Sequence, residues 1–481
     1  MTIQRVLRRL VYAAAAFLML LGTGLGTIGN LSHKSYLAAL LTAALLAGLF
    51  LWRRKKPPAL MERPGRQNPA AVCLLLAFLC LLVNGIWVIV FRPLQAADYQ
   101  TFFQAAADLA DGSLLSGKDY IAMFPHILGY SAFLSVFFRL FGVSILTAAA
   151  VNVILTTLSG VILYVLCLKH CGRKAALLSF LLWIVCPSKL LYNTMSLSEP
   201  LYTCLLLLFF LLVSETMDSC SQEEQLGLSA VTGLFSGFVL AMVNAARPIG
   251  VIPIIAFFLW LFLLSDRDVV LSRKKTMLIF SVLLVLVYAA AGSIWKIYAA
   301  ERIGQPPPSV PGYNIYVGLN PETQGSYANE DMDLLQSRYF GEYDRNAEAA
   351  QQSMLESAKI RIAENKNSIP SLMIHKLGTL LGHDEGGAYY SKESLSDRAY
   401  SLWCIVSNVW YYLVCLLAVA GCILKGKQPD GSSLLIIPLC LIGIILAQLL
   451  VEVAARYHYC LIPMLLLLAA PISEKNRPPV E

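Results

Sequence analysis

The residues best placed for chemistry begin at Asp98 and Tyr99, in the stretch Arg92-Pro93-Leu94-Gln95-Ala96-Ala97-Asp98-Tyr99-Gln100 that follows directly on a long apolar run. An ionisable group at the water–lipid boundary is costly to place and marks substrate handling in membrane proteins. An ionised carboxylate there can take a proton from an attacking hydroxyl. Other apolar runs end in similar groups. The loop after Asp98 carries Asp108, Asp111, Lys118, Asp119 and His126; later come Lys189, Tyr192, Asn193 and Glu199, then Asn244 and Arg247, and last Glu452, Arg456, Tyr457, His458 and Tyr459. Arginine matches phosphate oxygens in a fork geometry. Carboxylates, arginines and tyrosines gathered at one membrane face suit an anionic headgroup that stays lipid-anchored.

Each group also has a structural reading. Asp98 can cap a helix over Tyr99–Leu109 by accepting backbone N–H bonds. Glu199 precedes Pro200, and proline favours the first helical position. Arg247-Pro248 reads equally as an arginine snorkelling between two spans, and Arg456-Tyr457-His458-Tyr459 as an interfacial aromatic anchor. His383-Asp384-Glu385 reads as a solvated loop, because adjacent residues rarely converge on one metal ion.

The elements that must position these groups are membrane helices. Of the 481 residues 57% are hydrophobic and 14% charged, against about 45–50% apolar and about 25% charged in an ordinary soluble domain. The expected fold is an all-α polytopic membrane protein. Spans are expected near 10–29, 35–52, 70–91, 144–168, 175–187, 198–214, 227–244, 248–264, 276–297, 400–424, 433–450 and 457–472. The first could pass for a signal peptide, but a second span follows at once and no small-residue cleavage site intervenes, so it is read as an anchor. The net charge of +7 bears on orientation, not on nucleic acid.

The segment Phe124–Gly142 is apolar and about span length. If it lies flat, one side of the membrane collects Arg5, Arg8 and Arg9, the run Arg53-Arg54-Lys55-Lys56 with Arg63 and Arg66, then Lys169, Arg173 and Lys174, Arg267, Arg273, Lys274 and Lys275, Lys425 and Lys427, and Lys475 and Arg477. If it crosses, the later basic loops change sides and the positive-inside pattern breaks. The segment therefore reads as an interfacial helix on the outer face, with both termini cytoplasmic and Asp98 outside.

Four regions follow: a two-helix hairpin with a basic cytoplasmic loop over 1–69, a transmembrane core over 70–297 with an outer loop 92–143, an outer-face region over 298–399, and terminal spans with a short cytoplasmic tail over 400–481. In the outer region, Pro306-Pro307-Pro308 to Pro311-Gly312 reads as a linker. Asn346–Lys366 reads as a helix on the spacing of Ala347, Ala350, Met354 and Ala358. Ile369-Pro370 opens another helix, with Leu372, Leu377, Leu380 and Leu381 on one face resting on the membrane. Most of the twelve cysteines fall in expected spans as small hydrophobes, and no pair has zinc spacing.

In the order of these elements the chain resembles the GT-C glycosyltransferases, specifically glycosyltransferase family 39 and the bacterial lipid A aminoarabinose transferase-like proteins. The resemblance covers about residues 70–470. It rests on Asp98-Tyr99 after the first core span, Phe124-Pro125-His126 to Phe141-Gly142-Val143-Ser144, Ser198-Glu199-Pro200, Arg247-Pro248 and Arg456-Tyr457. The stretch Tyr313-Asn314-Ile315-Tyr316-Val317-Gly318-Leu319-Asn320-Pro321, with Gly325 and Asp331, is similar to an outer loop of these proteins. The chain departs from the aminoarabinose transferases at Phe124, where they carry Lys, and from the protein mannosyltransferases at Tyr99, where they carry a second acid. The hairpin over 10–52 lies outside the resemblance.

The resemblance implies a GT-C-type bundle of about twelve spans with juxtamembrane helices and a small outer-face domain. It implies a bacterial plasma-membrane enzyme that moves a sugar, with inversion, from a polyprenyl-phosphate donor to a glycan, lipid or protein acceptor, without cofactor, metal or nucleic acid. Asp98 and Glu199 would be its catalytic acids. Tyr99, Lys189, Arg247, Asn320, Arg456, Tyr457 and His458 would bind substrate. The rival reading is a flippase for lipid-linked sugars, although no matched pair of broken helices is visible in the two halves.

Overall fold

A computed structural model describes residues 3–29, 33–55, 68–95, 97–218 and 226–473. Much of the basic hairpin loop, with Lys56, Arg63 and Arg66, and the tail with Lys475 and Arg477 lie outside the described residues.

The described chain is built of helices. They are α1 (Ile3–Gly29), α2 (His33–Lys55), α3 (Pro69–Val90), α4 (Asp98–Asp111), α5 (Lys118–Met123), α6 (His126–Phe141), α7 (Ile145–Cys171), α8 (Arg173–Ile184), α9 (Pro187–Tyr192), α10 (Glu199–Met217) and α11 (Leu226–Ala246). They continue as α12 (Val251–Leu259), α13 (Arg267–Ser272), α14 (Lys274–Ile303), α15 (Gly312–Gly318), α16 (Asn329–Ser337), α17 (Ala347–Glu364), α18 (Ile369–Leu381), α19 (Gly386–Tyr390), α20 (Asp397–Lys427), α21 (Ile436–Leu450) and α22 (Leu461–Ala469). The protein is an all-α polytopic membrane protein.

Among the described residues, eight helices are long and apolar enough to cross a bilayer. They correspond to the expected spans that begin near 10, 70, 144, 198, 227, 276, 400 and 433. The segments expected at 35–52, 248–264 and 457–472 hold shorter apolar helices, Ser35–Gly48, Val251–Leu264 and Leu461–Ser473. The segment at 175–187 is α8, of 12 residues. Apolarity without length has a physical reason here. All of Leu461–Leu468 is buried, and α22 packs between α7, α8, α20 and α21. Protein, not lipid, surrounds it. By contrast α3 and α14 bury only 22% of their most apolar windows and form the outside of the bundle.

Because lipid tails are as apolar as leucine, helices in a bilayer associate through close packing more than through apolar burial. The pairing of α11 with α14 shows this. A methyl group added at Gly237 of α11 would lie 2.6 Å from the Leu284 carbonyl oxygen of α14, and one at Gly233 would lie 2.9 Å from that of Phe280. Gly237→Leu is expected to lower stability by about 1–3 kcal/mol through overpacking. Gly85→Leu on α3, where nothing lies within 4 Å, should change it far less. Thermal unfolding in detergent compares the two.

The 1–69 hairpin is part of the bundle: α1 packs on α18, α20 and α21, and α2 packs on α20. This corrects the expectation for the helix after Ile369. It forms as α18 with Leu372, Leu377, Leu380 and Leu381 buried, but α1 covers it, so it does not simply rest on the membrane. The helix expected over 346–366 is α17, with Asn346 capping it through the Ala349 N–H at 3.0 Å.

Two helices after α3 position the loop of interest. The 16-residue α6 lies beside α4 and parallel to it. Ser131 donates to the Phe102 carbonyl at 3.0 Å, and Arg139 donates to Leu109 and Ala110 carbonyls at 2.6 and 3.1 Å, at the electronegative end of α4. On its other side α6 reaches the end of α11. Gly129 passes so near the Ala245 carbonyl that any side chain would collide with it. That contact sets His126 beside Arg247.

Candidate active site

The helix expected to begin after an Asp98 cap begins at Asp98 itself. Its flanking residue is Ala97, with φ of 50° and ψ of −131°, and no side chain caps the helix. This region disfavours residues with a Cβ, and such strain costs on the order of 1–3 kcal/mol unless the surroundings impose it. They do. Gln95, two residues earlier, donates to the Thr194 carbonyl at 3.0 Å and accepts the Ser196 N–H at 2.8 Å. The Asp98 carboxylate is thereby released from the backbone and accepts a short hydrogen bond from the Arg456 guanidinium.

Arg456 is the hub of the site. It sits in a 3-10 turn, Ala455–His458, between α21 and α22. Its Nε lies 4.0 Å from Glu199 Oε1, and Nη1 donates to the Tyr99 hydroxyl at 3.4 Å. The rings of Tyr99, Tyr390 and Tyr457 surround the guanidinium, with centroids at 5.7, 5.4 and 5.4 Å, close enough for cation–π attraction. Glu199 lies in the first turn of α10, where Pro200 fits as expected. The two acids differ in access. The Asp98 side chain is 33% exposed and that of Glu199 only 3%, so Glu199 is enclosed with Arg456 while Asp98 remains partly accessible.

Arg247 comes from the end of α11 and stacks 4.1 Å over the Tyr457 ring. Its guanidinium makes no hydrogen bond or ion pair among the described residues, which leaves its donors available. Burial alone would push the Asp98 carboxyl up. The charge and hydrogen bond of Arg456, with help from His126 and Arg247, overcome this and hold it below its ordinary value. His126 is also driven down, to about 4, by burial and then by Arg247, so it stands neutral beside Asp98 at physiological pH.

The remaining candidates separate. Tyr457 shares its ring between the two arginines. Lys189 is fully buried elsewhere, donating to Asn84 Oδ1 at 3.1 Å and the Ile184 carbonyl at 3.3 Å. His458 turns away from the cluster, with Nδ1 on the Leu380 carbonyl at 2.8 Å and Nε2 on Asp384 at 3.1 Å. Asn320 donates to Asp331 at 3.0 Å, inside a pair with Arg361. Asp108 accepts from Ser116 and Asp119 from Tyr339.

Two structural expectations are corrected here. Arg456, Tyr457, His458 and Tyr459 are all less than 10% exposed. They are interior residues and not an interfacial anchor, because α18 and α19 pack over the turn. Asp384 is 0% exposed and not solvated. It accepts from Ser188 at 2.5 Å and from His458, while its N–H donates to Asn408 at 2.8 Å.

Tyr390, Glu452 and Lys376 were not among the expected site residues. Tyr390 packs edge-on against Tyr99 at 5.2 Å, and nothing in its local pattern announces this. Glu452 lies four residues before Arg456 in an irregular strap; its polarity at a span end was visible, but not a role. Lys376 sits on the apolar face of α18, a legible oddity. Its ammonium donates to the carbonyls of Gly318, Leu449 and Val451 at 2.7, 2.7 and 2.6 Å, and so fixes the strap that leads to Arg456.

No protein-family model matches the chain, and no curated protein matches it. Among solved structures similar to it are two membrane-protein structures. One is an oligosaccharyltransferase from Archaeoglobus fulgidus tethered to an acceptor peptide, at 10% identity and a TM-score of 0.45, over 83% of this chain and 49% of that one. The chain thus spans about half the length of that protein. The other is ArnT from Cupriavidus metallidurans bound to undecaprenyl phosphate, at 12% identity and a TM-score of 0.34, over 84% of this chain and 77% of that one. Both are GT-C glycosyltransferases.

Proposed function

We propose that the chain is a membrane glycosyltransferase that moves a sugar from a polyprenyl-phosphate donor to a hydroxyl acceptor of the cell envelope, with Asp98 and its neighbours on the outer face and both termini cytoplasmic. The observation that carries this reading is one cluster in which a partly accessible carboxylate pairs with Arg456 and a second arginine, Arg247, with uncommitted donors, shares the Tyr457 ring. An anion is the natural complement of Arg247, and a fork of N–H donors suits phosphate.

In the proposed reaction the acceptor oxygen forms a bond to the anomeric carbon as the bond from that carbon to the phosphate oxygen breaks. The acceptor proton passes to Asp98, and the polyprenyl phosphate leaves with the bonding pair. Arg247 and Arg456 stabilise the charge that grows on the departing phosphate. Glu199 is too enclosed to meet the acceptor; its role is to hold Arg456 in place. The scheme inverts the anomeric centre and routes no step through a metal.

The test is a single-product assay. Purified protein in detergent, given undecaprenyl phosphate bearing a radiolabelled hexose and an envelope extract, should yield a labelled product no longer attached to the lipid. A protein that binds the lipid, yields no such product and moves it across proteoliposome membranes would be a flippase, and the transferase reading would fall.

A further inference from the structure

One acid of the cluster is left over by the proposed reaction. Glu452 lies in the strap between α21 and the Arg456 turn, and its backbone is held on both sides. Its N–H donates to the Asn314 carbonyl at 2.8 Å, the next N–H to the Gly325 carbonyl at 2.9 Å, and the preceding carbonyl accepts from Lys376 at 2.6 Å. The side chain has only a long contact, from the Tyr457 hydroxyl at 3.4 Å, and no ion pair among the described residues. Beside it lies the Tyr313 hydroxyl, buried and without a hydrogen-bond partner. Tyr313 is wedged against Phe124 at 5.3 Å, and Tyr120 meets the same ring at 4.9 Å. Tyr327 stands 52% exposed on the loop that pairs with the strap.

Burial raises the Glu452 carboxyl, only partly offset by Arg456 and Arg247. After burial, Asp98 and Glu452 are the leading charges that raise the Tyr120 phenol. Both acids thus lie within electrostatic range of the Tyr120 phenol. A rigid acid with spare lone pairs, set among tyrosine hydroxyls and rings, can accept from hydroxyls, receive from phenols and offer apolar ring faces. Those are the demands of a polyhydroxylated ring. The phosphate-seeking Arg247 stacks on the ring of Tyr457, whose hydroxyl meets Glu452.

We propose that Glu452, with Tyr120, Tyr313 and Tyr327, forms the subsite that reads the hydroxyl groups of the transferred sugar, and that Glu452 is a specificity-determining residue separate from the phosphate site. This rests on the transferase reading above, and it names a neutral hydroxylated sugar as the donor's cargo. A donor with an amino group in place of a hydroxyl would instead pair with Glu452 as an ion.

The experiment compares binding of bare undecaprenyl phosphate with that of undecaprenyl-phosphoryl glucose, mannose, galactose and 4-amino-4-deoxyarabinose, in wild type, Glu452→Gln and Glu452→Ala. At least one neutral hexose lipid should bind wild type more tightly than the bare lipid. Glu452→Ala should erase that preference, by about tenfold or more, and leave the bare lipid within about twofold, since each lost hydrogen bond to a charged acceptor is worth roughly 1.5–3 kcal/mol. Glu452→Gln should retain part of it. Equal loss for both lipids, no loss for either, or a preference confined to the amino sugar would overturn the proposal while the transferase reading stood. Failure of wild type to bind any of these lipids would bring down both.

Discussion

Asp98→Asn is expected to reduce sugar transfer by about a hundredfold to ten-thousandfold, the usual share of a positioned general base, with donor binding almost unchanged. Asparagine keeps the side-chain volume and can still accept a hydrogen bond from Arg456 through its amide oxygen, so folding should persist. What it cannot do is take the acceptor proton. Asp98→Glu keeps the carboxylate but advances it by a methylene, and should retain a measurable remainder. The comparison needs transfer rates at saturating donor together with the melting temperature of each variant in detergent. Full activity in a folded Asp98→Asn protein would remove Asp98 from the chemistry and leave it as a partner for Arg456 alone.

Arg456→Met should have the largest effect on stability. It leaves Glu199, 3% exposed, without its cation and deprives Asp98 of its nearest partner. Breaking a buried ion pair from one side typically costs about 3–5 kcal/mol. The cause can be separated from lost packing by adding Glu199→Gln. If the penalty is an uncompensated buried charge, the double variant should recover part of the loss, a coupling that a double-mutant cycle measures. If both substitutions simply add, Glu199 and Arg456 are independent and the positioning role of Glu199 fails.

The same variant predicts a pH effect with a definite sign. In the wild type Arg456 holds the Asp98 carboxyl below its ordinary value against the opposing pull of burial. A carboxyl depressed on folding contributes stability that is complete above its unfolded pKa, near 4, and is lost as pH falls through the lower folded value. Without Arg456, burial acts with only His126 and Arg247 against it. The acid limb of residual activity should therefore move to higher pH, and acid unfolding should lose its Asp98 component.

Legibility in the sequence followed the range of each interaction. Helix α17 was readable from alanines at three- and four-residue spacing because that periodicity is local. The length limit on α22 was not readable, since whether an apolar run faces lipid or protein depends on neighbours far along the chain. The hairpin over 10–52 was set apart from the rest, yet α1 proves to cover α18. Aromatic and basic residues around Arg456 look alike whether they anchor at an interface or fill a core, so for Arg456-Tyr457-His458-Tyr459 the anchor reading stood level with the site reading until the fold buried them. Asp384 was misread for the same reason: a charged tripeptide shows its polarity but not the His458 and Ser188 that enclose it.

What the sequence by itself determined was the alternation of apolar spans and polar exits, and with it the short roll of acids and arginines stationed at helix ends. Hydropathy and spacing act over a few turns and need no fold to be read. The tertiary structure alone decided which of those groups meet. Asp98 and Arg456 are 358 residues apart, and each residue step along a helix turns a side chain by about 100°. Only the packing of α4, α10, α11 and the turn before α22 could aim Asp98 and Glu199 at one guanidinium and set Arg247 against the same cluster of tyrosines, while turning Lys189 and His458 aside into the core.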